Sequence, residues 1–186
     1  MKLRSTVLVV AALNFSYFFV EFGYGRIFNS LALISDSIDF LEDASINLLV
    51  AVAIGWSIQR RKYVSYLLAG LLLVPGTIFV WNAIQKILNP INPVGEGMTW
   101  VGLGALAVNV FCALLIARHR TDGHGLALAA FYSARNDAIA NVLIVIAGLI
   151  TVLMPTIWLD LLIGLLIFLL NAGAAKAVVN ASRSNS

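Results

Sequence analysis

Asp36, Asp39, Glu42 and Asp43 lie inside the apolar stretch NSLALISDSIDFLEDASINLLVAV, residues 29–52, which is otherwise suited to crossing a bilayer. A carboxylate at membrane depth costs at least a few kcal/mol, so such residues are rare and mark ion or proton paths. At about 100° per residue, Asp36, Asp39, Asp43 and Asn47 fall within an arc of roughly 80° on one helix face. A second polar stripe runs through AAFYSARNDAIANVLIVIAGLI, residues 129–150, where Ser133, Asp137 and Asn141 follow one another at i, i+4 and Asn136 borders them. Asp43 lies seventeen residues before Arg60, and Asp137 seventeen residues after Arg120. Two antiparallel helices would therefore carry both aspartates about 25 Å from a basic anchor, at one depth. Oxygen groups converging there from two helices describe a divalent cation site. Loading a metal displaces protons from its ligands, which is the physical basis for exchanging the two.

A blander alternative exists for any single buried acid, because polar side chains also glue membrane helices together through hydrogen bonds. Three acids on one stripe facing a fourth favour the ion path. Glu42 sits about 100° round the helix from Asp43, off the stripe, and is expected to partner Arg135 rather than to bind metal. Arg135 points about 160° away from Asp137, as a structural ion-pair partner would.

These stripes need helices to hold them, and the composition supplies little else. The chain is 61% hydrophobic and 11% charged, with a mean hydropathy of +0.94. A soluble domain carries about 25% charged residues, so this is an integral membrane protein, and its long apolar runs indicate helices rather than a barrel. The net charge of +3 comes from basic residues at the ends of apolar runs and is no nucleic-acid footprint. Cys112 is the only cysteine, which excludes an internal disulfide. The opening MKLRSTVLVVAALNF imitates a signal peptide but continues apolar without a cleavage site, so it is expected to be a retained first helix.

Six membrane-spanning segments are expected at about 6–26, 30–57, 64–88, 98–117, 125–152 and 157–179, followed by a polar tail at 180–186. The breaks carry Gly23, Gly25 and Asn29, then Gln59 to Lys62, then Asn89-Pro90 and Asn92-Pro93, then Arg118 to Gly125, then Met154-Pro155. Lys2, Arg4, Arg60, Arg61, Lys62, Arg118, Arg120, Lys176 and Arg183 all fall on one side, against Arg26 and Lys86 on the other. The positive-inside rule thus puts both termini in the cytoplasm. Trp158 and Asp160 are expected to anchor the outer interface, and Gly102, Gly104 and Gly164 to allow close helix packing. His119 and His124 share the loop after the fourth segment, which is expected to be solvated rather than metal-collecting.

With these residues in place, the chain resembles the cation diffusion facilitator family from about Leu13 to Val178. The stretch from Asn29 to Asp43 is similar to the family's NSLAL-[AS]-D-A-x-H-x-x-x-D motif, whose ligand pair falls on Asp39 and Asp43, with Asp36 at the acid before it. Glu21 with Gly25, residues 81–90 (WNAIQKILNP), residues 103–115 (LGALAVNVFCALL) and Trp158 with Asp160 resemble the ends of the first and third helices, the fourth helix and the opening of the sixth. The fifth-helix pair is usually His-x-x-x-Asp; here Ser133 and Asp137 stand there, as in a compact branch lacking the cytoplasmic C-terminal domain.

The resemblance implies a six-helix, all-α bundle that exports a divalent transition metal by exchange with protons. Helices one, two, four and five would move around the site. Its ligands would be Asp39, Asp43 and Asp137 with Ser133 or Asn136, while Asp36, Glu42, Asn47, Arg135 and Asn141 form the path or support the ligands. An all-oxygen set weakens the case for Zn and leaves Mn, Fe or Co open. The chain is expected to be a transporter rather than an enzyme. Its partners would be the metal, protons, the lipid of a bacterial plasma membrane and a second copy of itself. The competing expectation is a transport-inactive scaffold or metal-sensing partner that keeps the fold.

Overall fold

The computed structural model describes residues 3–53, 57–117 and 125–170, with the side chains at 3, 52, 53, 58, 61, 62, 65, 68, 69, 72 and 125–136 outside the described set. Every regular element among the described residues is an α-helix. In chain order these are α1 (Leu3–Ile27), α2 (Leu31–Ala53), α3 (Ile58–Leu88), α4 (Gly95–Ala117), α5 (Gly125–Leu153) and α6 (Trp158–Leu170). The polar tail expected at 180–186 lies outside the described residues.

α2 is the axis of the bundle and packs against all five other helices. All of its residues from Leu31 to Leu41 are buried. A helix covered on every side has no solvent or lipid face on which to place a charge, so each acid it carries must be accommodated internally. Leu31, Ile34, Ile38 and Leu41 join Phe79 of α3 in one cluster, with Phe168 of α6 packed against it. The Phe79 and Phe168 rings stack at 4.4 Å. Ala32 and Leu33 turn to the other side and pack with Met98, Val101, Ile144, Ala147, Ile163 and Ile167.

The outward faces are apolar instead. Leu73, Leu88, Phe111, Leu114, Leu153 and Leu169 are all exposed, an apolar exterior that only a non-aqueous surrounding stabilises. α1 and α4, with mean hydropathies of 1.6 and 2.2, are long and apolar enough by composition to cross a bilayer. α2 is 23 residues long, or about 35 Å, but its four acids interrupt the apolar run.

The corner between α1 and α2 is tightly specified. Asn29 adopts φ 52°, a left-handed conformation that Asn tolerates better than most residues. Ser30 N–H then reaches the Gly25 carbonyl at 2.9 Å and Asn29 N–H the Arg26 carbonyl at 3.4 Å, which closes the end of α1. Ser30 also caps α2, its hydroxyl accepting the Leu33 N–H at 3.2 Å.

α3 begins at Ile58, so Gln59 to Lys62 lies in its first turn rather than in a break before it. Gln, Arg and Lys are good helix formers. Hydropathy marks where a helix could leave the bilayer, not where its hydrogen bonds stop.

α4 and α5 approach until their backbones touch. A Cβ placed on Gly148 would lie 2.8 Å from the Gly95 carbonyl oxygen, and one on Gly95 2.7 Å from Val152 N. Gly148→Val is therefore expected to cost about 1–3 kcal/mol by overpacking. Thermal unfolding in detergent should show the loss. Gly23→Ala, where nothing lies within 4 Å, should leave the midpoint unchanged or slightly higher.

Candidate functional site

The stripe on α2 is buried as the sequence requires. Asp36 is fully buried, Asp39 is 8% exposed, and Glu42 and Asp43 are partly buried. From α5, Asp137 comes within electrostatic range of Asp43, Asp36 and Glu42. The two acidic helices thus face one another across the bundle. Among the described residues, no three acids, histidines or cysteines are drawn tightly enough to cage a metal ion. The acids form an open run between helices rather than a closed shell.

Asn47 and Asn141 take matching roles. Asn47 Nδ2 donates to the Asp43 carbonyl at 2.8 Å, and Asn141 Nδ2 to the Asp137 carbonyl at 2.7 Å. Each amide thereby spends one of its two N–H donors on its own helix, with its oxygen turned away from that carbonyl. Asn141 Oδ1 is buried and meets no donor among the described residues. Such an oxygen suits a cation better than it suits a packing contact. Ser133, Asn136 and Arg135 lie on α5 with side chains outside the described set, as do His119 and His124 in the 118–124 segment.

One acid was missed by the ligand motif. Glu21 of α1 is fully buried, and its carboxyl lies within electrostatic range of Asp36 and Asp39. None of the four carboxyl oxygens of Glu21 and Asp36 has a hydrogen-bond partner among the described residues. A signal was present in the sequence: Glu21 stands eight residues before Asn29 and Asp36 seven after it. A helical hairpin turning at Asn29 brings those two positions to one depth.

Asp160 differs from the sequence expectation. Trp158 is 68% exposed, as an interface anchor should be, but Asp160 is fully buried. Its carboxylate accepts the Ser30 hydroxyl at 2.7 Å, Leu31 N–H at 2.8 Å and Ala32 N–H at 3.1 Å. Lys86 of α3 completes the shell at 2.6 Å and also donates to the Asn29 carbonyl. An acid at a helix N-terminus satisfies otherwise orphaned donors and meets the positive end of the helix dipole. Gly164, one turn along α6, makes this reach possible: a Cβ there would lie 2.8 Å from the Leu31 backbone.

The sequence comparison decides what such a bundle is for. A family model described as "Cation efflux transmembrane domain" matches residues 7–183. The chain belongs to the cation efflux family. The match runs through all six helices and takes in Glu21, the acids of α2 and Asp137. As a member of the cation efflux family, the protein is a membrane cation transporter, and the acid run between α1, α2 and α5 is its candidate cation path.

Proposed function

We propose that this cation efflux protein exports a divalent transition-metal ion from the cytoplasm in exchange for protons. The observation that carries the proposal is the approach of Asp137 on α5 to Asp43 and Asp36 on α2, inside a bundle whose exterior is apolar. Asp39, Asp43 and Asp137 are the proposed ligands, completed by Ser133 or Asn136, and Asn141, one turn along α5 from Asp137, adds a buried oxygen that meets no donor among the described residues. All of these donors are hard oxygens, which favours Mn, Fe or Co over Zn.

All six helices are proposed to cross the membrane, making a multi-pass protein of the bacterial plasma membrane with both termini in the cytoplasm. Three exposed tryptophans, Trp81, Trp100 and Trp158, lie within about two turns of helix ends on the side where α1, α3 and α5 finish and α2, α4 and α6 begin. That side carries few basic residues, so it is assigned as outer. A second copy of the chain is proposed as partner within the bilayer.

The test is reconstitution into liposomes with an imposed pH gradient and a panel of Mn, Fe, Co, Ni, Zn and Cd. Uptake of at least one metal with matching proton counterflow is expected. Binding without movement of any metal would instead support a metal-sensing scaffold that retains the fold.

A further inference from the structure

We propose that Glu21 and Asp36 form a second cation site, placed one step outward of Asp39, Asp43 and Asp137. It would take the same divalent metal, partly hydrated, on its way out. This rests on the export reading above and adds a second binding step to it.

The fold shows what a structural buried acid looks like. Asp160 is as deeply buried as Asp36 and receives a hydroxyl, two backbone N–H groups and an ammonium. Among the described residues no donor reaches Glu21 or Asp36, and all four of their carboxyl oxygens are buried. The Tyr17 hydroxyl, in electrostatic range of both, donates to the Val101 carbonyl at 2.7 Å and so is committed elsewhere. Two cations at this end of the bundle are likewise engaged. Lys86 serves Asp160, and Arg26 donates to Asn82 at 2.6 Å. Two facing carboxylates without a donor cannot both stay charged and buried on their own, and a cation held between them removes that penalty.

The chemistry and position of the pair select that charge. Four carboxylate oxygens with added water match the oxygen-rich coordination of Mn-like divalent ions. Asp36 precedes Asp39 by three residues, about 4.5 Å along α2. Glu21 is in electrostatic range of Asp39, and Asp137 of Asp36, which couples the two sites. Two sites in series let an ion bind firmly and still leave, because occupancy of one weakens the other.

The experiment is equilibrium Mn2+ binding to the purified full chain, with transport of Mn2+ in liposomes. Wild type is expected to bind close to two ions per chain, and Glu21→Gln and Asp36→Asn close to one. Glu21→Asp, which keeps the charge, should retain two and shows that any loss is not misfolding. In liposomes Glu21→Gln should keep half-saturation within about 2-fold while maximal rate falls at least ~10-fold. One ion per chain in wild type, or two retained in Glu21→Gln, overturns the second site and leaves export standing if Mn2+ still moves. Absence of flux for every metal in wild type defeats the export reading itself. A shared proton in place of the metal would show as one ion in both wild type and Glu21→Gln, and also overturns the proposal.

Discussion

Asp43→Ala and Asp137→Ala are each expected to lower metal-driven proton flux in proteoliposomes by at least ~100-fold. Changes in groups that merely support a metal ligand cost about 10–100-fold, so losing a ligand should reach or pass the upper figure. The variants should also fold at least as well as wild type. Asp137 stands in range of three other acids, and an acid held at membrane depth costs stability that an alanine does not. Monodisperse elution with undiminished thermal stability, together with lost flux, is the expected pattern. With both residues in one site, as proposed, the double variant should be no worse than either single one. Glu42→Gln is the contrasting case, expected to lose less than about 10-fold because it lies off the ligand stripe. Flux within about 3-fold of wild type in both alanine variants would remove these residues from the site.

The largest stability effect is expected at Asp160. Asp160→Ala would leave the Lys86 ammonium, whose side chain is 6% exposed, without its carboxylate, and would uncover Leu31 and Ala32 N–H at the start of α2. Breaking a buried pair from one side costs about 3–5 kcal/mol. Lys86→Met should cost less, about 1–3 kcal/mol, since Asp160 keeps three of its four donors. The double variant Asp160→Ala/Lys86→Met should be less damaging than the sum of the two, with a coupling of about 0.5–3 kcal/mol. Thermal unfolding of all three proteins in one detergent measures the cycle. Additive losses would show that the two charges do not depend on each other.

These two sites differ in how visible they were from sequence. The acids of α2 stood out because each one violates the apolar rule of its own segment, and a violation repeated at helical spacing is a local signal. The helical architecture was legible for the same reason, since hydropathy is averaged over neighbours in sequence. Asp160 sits at the start of an apolar helix, where an acid is unremarkable. Its role depends on Ser30 and Lys86, 130 and 74 residues away in the chain, and on Gly164 letting α6 approach. Nothing local encodes that meeting. Glu21 lies between these cases: it was matched to a family position but not to a partner, because its partner is found only when the chain is folded back at Asn29. The early start of α3 escaped because basic residues end an apolar run without ending a helix.

The clamp on Ser30, Leu31 and Ala32 has a mechanical consequence. With its first turn held by α3 and α6, α2 can tilt only about that end, so displacement must grow along its length. A tilt of about 10° would move Asp36, some 7.5 Å from the pivot, by little more than about 1 Å, and Asp43, about 18 Å away, by about 3 Å. The same small rotation therefore leaves the outer carboxyl pair nearly stationary while it takes Asp43 into or out of reach of Asp137. Under the proposed export cycle α2 would act as a lever with its fulcrum at the clamped end, and the far arm carrying Asp43 would do most of the gripping and releasing.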